Sequence, residues 1–170
     1  MKTEIEKELS ILKGLELAAA SRAANMIYLK FGKLTYIGKR GIIGEYGLHL
    51  QIPWRFANEF AVIVGDGDMY EHINEDGKYY EDYDWDEEGN LCDFKIQTLI
   101  IPNRHKVMDI VADNYGGFEI LFSSNIKLSV FPNLTANHEY SEFWRLLYPD
   151  REKNHFVIGS FGIEEPDDSV

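Results

Sequence analysis

Phe118-Glu119-Ile120-Leu121-Phe122-Ser123-Ser124-Asn125-Ile126-Lys127-Leu128-Ser129-Val130 decides how this chain folds. A β-strand sends successive side chains to opposite faces, so Phe118, Ile120 and Phe122 share one face, as do Ile126, Leu128 and Val130. Ser123-Ser124-Asn125 between them has the length and chemistry of a hairpin connection. Earlier in the chain Ile27, Leu29 and Phe31 alternate in the same way. So do Leu48, Leu50, Ile52 and Trp54 within Leu48-His49-Leu50-Gln51-Ile52-Pro53-Trp54-Arg55, read here as one strand.

A shift of 91 positions lays Ile27, Leu29 and Phe31 on Phe118, Ile120 and Phe122. Each block is followed by another alternating strand, a proline (Pro53, Pro132) and a Trp-Arg pair (Trp54-Arg55, Trp144-Arg145). The expected fold is therefore mainly β, α+β at its margin. Two related antiparallel units, approximately 12–56 and 99–147 of one domain spanning 1–170, form a sandwich or partial barrel with a few short helices. A lone hairpin unit cannot cover its own apolar face, whereas two bury theirs together. Residues 15–21 look helical from their alanines, but their counterpart at 107–113 reads as strand and turn, so a strand is expected at both. Helices are expected at 3–12, 94–99 and 141–147, and a closing strand at 155–158.

The 170 residues are 45% hydrophobic and 27% charged, which excludes disorder, collagen-like repeats and coiled coil. No apolar run suits a membrane helix, and the charged start, MKTEIEKELSILKG, suits no secretory signal, so a cytoplasmic protein is expected. A lone Cys92 agrees with a reducing compartment. The net charge of −12 argues against nucleic acid as a partner. Residues 66–93 hold 12 acids and one base, Lys78, and so carry −11 of that total. This acidic excursion must face water, with Tyr70, Tyr79, Tyr80, Tyr83 and Trp85 as its anchors.

Several stretches, taken together, resemble a family of uncharacterised bacterial proteins of similar length. They are Arg22-Ala23-Ala24-Asn25-Met26, Gly44-Glu45-Tyr46-Gly47-Leu48-His49-Leu50-Gln51, Trp54-Arg55, Asp84-Trp85-Asp86, Trp144-Arg145-Leu146 and His155-Phe156-Val157-Ile158-Gly159. The resemblance implies a bacterial, cytoplasmic origin and transfers no activity, ligand or site.

Asp84, Asp86 and Glu88, with Gly89 at position 6 and Leu91 at position 8, follow the first half of a calcium loop. Position 12 is Lys95 where a bidentate Glu belongs, so a tight acidic turn with Gly89 at positive φ is the blander reading. No cofactor is expected beyond that candidate calcium. The five histidines lack zinc-ligand spacing, and no Gly-x-Ser-x-Gly, Walker or Rossmann pattern occurs. His49, Gln51 and Arg55 share the polar face of their strand, the wall of a cleft or simply its solvated side. The Trp-Arg pairs read as architectural, with the arginines stacked on rings or paired with local acids.

No reaction is specified, and a non-enzymatic interaction protein is expected. Tyr79, Tyr80, Asp82, Tyr83, Asp84, Trp85 and Asp86 would capture a basic protein partner, as an immunity protein neutralises a toxin. The alternative is a small-ligand or metal-binding protein, even an enzyme, using His49, Gln51 and Arg55 in a cleft between the units.

Overall fold

The structure, a computed structural model, describes residues 1–38, 41–73, 82–85, 88–134, 141–150 and 153–164. In chain order the first half supplies β1 (Leu17–Ala23), β2 (Met26–Phe31), β3 (Thr35–Tyr36), β4 (Ile42–Ile43), β5 (Tyr46–Leu50), β6 (Trp54–Ala57) and β7 (Val62–Gly65). The second supplies β8 (Val107–Ala112), β9 (Phe118–Phe122), β10 (Lys127–Val130), β11 (Glu142–Leu147), β12 (Phe156–Gly159) and β13 (Gly162–Ile163). They form two main antiparallel sheets arranged as a sandwich, not a closed barrel, while β3 and β4 pair only with each other as a small arm.

The sheets are not the halves. One sheet runs β1-β2-β5-β11-β12-β13 and the other β7-β6-β10-β9-β8, so each takes three strands from one half and its next two from the other. The pairings correspond strand for strand. Against β5, β11 sets Trp144 opposite Leu50 and Leu146 opposite Leu48. Against β10, β6 sets Trp54 opposite Val130 and Phe56 opposite Leu128. The β1–β2 and β8–β9 pairs both slip register at their outer ends, after Leu17 and after Val107.

Period-2 alternation turns Leu29, Leu48 and Trp144 of one sheet and Phe56, Ile120 and Leu128 of the other into a single buried cluster. Helix α1 (Lys2–Leu9) and the 3₁₀ turn to Leu12 add Ile5, Leu9 and Leu12 to that cluster. Glu6 Oε1 of α1 accepts a 3.0 Å hydrogen bond from Ala112 N, which satisfies part of the open edge of β8. Most of 15–21 lies in β1 despite its alanines, because pairing with β2 along its length outweighs helix propensities of under about 1 kcal/mol per residue. Helix α2 (Leu91–Lys95) starts at Asn90, whose side chain caps Asp93 N, and runs on into a π-helical turn, Ile96–Ile100.

Two expectations fail. The helix expected over 141–147 is strand β11, which fills the gap between β5 and β12 and buries Phe143, Trp144 and Leu146. The single strand expected from Leu48 to Arg55 is two strands in different sheets. The chain leaves one sheet after Leu50 and joins the other at Trp54, and Pro53, with no N–H to donate, sits at the crossing. Leu48, Leu50, Ile52 and Trp54 are all buried nonetheless, because both sheets share the core.

Candidate functional site

The acidic excursion is anchored at both ends. Its 3₁₀ turn, Asp66–Tyr70, buries Met69, and α2 buries Leu91 and Cys92. Arg22 of β1 donates to Asp93 Oδ2 at 2.9 Å, a contact that raises the arginine's pKa and helps hold the carboxyl below its ordinary value. Burial first, then Asp93 and Asp68, push the Cys92 thiol up to about 12, so it is no nucleophile at neutral pH.

Tyr83, expected both as an anchor of the excursion and on its binding surface, is buried and takes the anchoring role. Its hydroxyl donates to Gly89 O at 3.0 Å and accepts from Ile73 N at 3.2 Å, while its ring stacks on His72 at 3.9 Å. It closes the excursion on itself. Trp85, at 45% exposure, packs its ring against both Tyr83 and His72, and Asp82 and Asp84 are exposed. Tyr79, Tyr80 and Asp86 lie outside the described residues. Gly89 takes φ 81°, as a tight turn requires. Glu88 Oε1 approaches Asp84 N at 3.4 Å, and among the described residues no three metal-ligating side chains converge.

A concavity lies on the outward face of the six-stranded sheet. In the link between β2 and β5 the β3–β4 arm borders that face, and the two line a half-open cavity of about 440 Å³. Ile42 and Ile43 form its roof, and Tyr28, Lys30, Gly47, His49 and Leu147 its floor. Tyr148, Pro149 and His155 close one side. Glycine is obligatory where the arm rejoins β5: a Cβ on Gly44 would stand 2.7 Å from Tyr46 O and 2.9 Å from Phe31 N and O. At the other root Gly32 takes φ 74° beside the Glu45 carboxylate, which approaches Lys33 N at 3.4 Å.

One row of paired residues runs across the sheet, with Ser21, Tyr28 and His49 lining the cavity and Arg145 and Val157 lying beyond it. The Tyr28 and His49 rings meet at 4.2 Å and 57°. Arg145 chelates Glu142, with Nε to Oε1 at 2.7 Å, and its guanidinium lies 3.5 Å from His155 Nδ1. Gln51 also hydrogen-bonds Glu142. Burial, helped by Arg145, pushes the His49 pKa down to about 4, so the imidazole is neutral at pH 7. Burial likewise lowers the Lys30 ammonium below its ordinary value.

The matching row on the other sheet is Val111, Glu119, Ser129, Arg55 and Gly65. There the polar groups satisfy one another: Ser129 donates to Glu119 at 3.1 Å, Lys127 pairs with Glu119 at 2.8 Å, and Arg55 lies over the Phe131 ring at 5.8 Å. Arg55 therefore does not join His49 and Gln51 in one cleft, because the crossing at Pro53 carries it to the second sheet and a separate cavity. Of the three residues read from the sequence as a possible cleft, His49 alone lines the roofed cavity, with Gln51 reaching it through Glu142 and Arg145.

Tyr28, Lys30, Tyr148 and His155 were not singled out by the sequence reading. Two signals point to the first pair: they alternate with Ile27, Leu29 and Phe31, and the link after that block is 14 residues long against four, 123–126, after its counterpart. Comparison with family models, with curated proteins and with solved structures finds no match to this chain.

Proposed function

We propose that the chain is a cytoplasmic small-ligand-binding protein, without catalytic machinery, built from a duplicated β unit of which one copy has gained a roofed pocket. One observation carries this reading: an arm made by an insertion covers a 440 Å³ cavity whose floor joins both halves at the β5–β11 seam. That volume falls within the range of small-molecule sites, and its lining mixes apolar walls with a few polar groups. Thermal-shift screening against small aromatic and aliphatic acids, amines and neutral amphiphiles tests it. The expected hits lose their shift in Gly47→Phe, which fills the floor beside Leu147. Hits indifferent to Gly47→Phe, or an absence of hits, overturn it.

A second reading rests on the excursion: Tyr70 and Trp85, 73% and 45% exposed, stand among Asp66, Asp82 and Asp84. Aromatics framed by carboxylates suit a basic protein partner of the toxin kind. Capture of such a partner from lysate should fail in Trp85→Ala and should weaken steeply with salt. Capture that ignores both changes ends this reading.

A further inference from the structure

Four polar side chains on the neighbouring strands β1, β2 and β5 line the roofed cavity without a hydrogen-bond partner among the described residues: Ser21, Tyr28, Lys30 and His49. On the matching row of the other sheet Glu119 is spent on Ser129 and Lys127, and beside the cavity Arg145 is spent on Glu142. Such a set, facing a concavity and open to water, is available to a polar group from outside the chain.

Its charge is specific. Lys30 is the single Lys or Arg lining the cavity among the described residues, and it makes no ion pair there. Arg145, His155 and Lys30 all oppose the arrival of further positive charge at His49, with Glu142 alone favouring it. A cation is thus disfavoured. A multiply charged anion is disfavoured too, since one ammonium faces it, the Glu45 carboxylate also lines the cavity and the whole chain carries −12. The walls suit a flat apolar body: Ile42 and Ile43 lie above, and the Tyr28–His49 ring pair below.

We propose that the pocket takes an aromatic monocarboxylate, its carboxylate on Lys30 Nζ and its ring between the Tyr28–His49 pair and the β4 isoleucines. This inference rests on the ligand-binding reading given above. The test is calorimetric titration of the full chain with 1-naphthoate and with 1-naphthamide, which share a ring system and differ in charge. Naphthoate is expected to bind at least tenfold tighter than naphthamide, to lose that advantage in Lys30→Met, and to keep it in Lys30→Arg. Equal binding of the two compounds, or a preference that survives Lys30→Met, overturns the monocarboxylate while leaving the pocket in place. If neither compound binds, or Gly47→Phe leaves both isotherms unchanged, the pocket reading falls with it. A melting profile of Lys30→Met and Lys30→Gln confirms that any loss is not unfolding, because the half-buried Lys30 side chain holds no partner in the fold.

Discussion

His49 is held neutral where an exposed histidine would be half charged near pH 6.5. The groups around it are Tyr28 and Lys30 from β2, Glu142 and Arg145 from β11, and His155 ahead of β12. Between its ordinary value and about 4 the unfolded chain holds a proton on this ring that the folded chain refuses. Stability should therefore fall as pH drops through that window and flatten below it. His105 and His155 are lowered by burial as well and act in the same direction, so the informative quantity is a difference. On acidification from pH 7 to about 4.5, His49→Gln should lose less urea stability than the parent; equal losses would mean that His49 is solvated. Tyr83 gives a second check at this scale. Tyr83→Phe keeps the ring stack on His72 but deletes the bonds to Gly89 and Ile73, for an expected cost of about 1–2 kcal/mol in urea unfolding.

The arm is the element that separates the two outward faces. Its counterpart, the link between β9 and β10, spans the same junction in four residues. Replacing residues 32–45 with Ser-Ser-Asn-Ile should thus preserve the far-ultraviolet circular dichroism and a cooperative melt while abolishing naphthoate binding. Loss of the fold would instead make the arm part of the core's support. Strands such as β2 and β9 are legible because their alternation is set by one buried face. The arm is not, since β3 and β4 are two residues each, too short for any period. Strand β11 read as helix because Phe143-Trp144-Arg145-Leu146-Leu147 has no clean alternation, and only the open edge of β5 makes it a strand. The candidate site was half legible. His49 and Gln51 follow from alternation, but Arg145 and His155 reach it through a strand exchange that no local pattern encodes. Composition alone names Tyr83 both as an anchor and as a binding residue, and only the backbone partners of its hydroxyl separate the two.

At the scale of the molecule, the exchange makes the halves interdependent. Each sheet loses two or three of its strands if either half is missing, so fragments 1–73 and 82–170 should each be unfolded or aggregated alone. Mixed, they should recover a single cooperative transition, since β5 pairs with β11 and β6 with β10 across the cut. A fragment that melts cooperatively by itself would show that the interleaving is dispensable. The same interleaving bears on how the protein is made. Translation adds about 5–20 residues per second, and β5 and β6 emerge long before the C-terminal partners that will flank them. For those seconds the nascent chain displays two ungated ribbons of backbone donors and acceptors. Its hazard of sticking to neighbours is greatest on the ribosome and ends only when the last strands arrive.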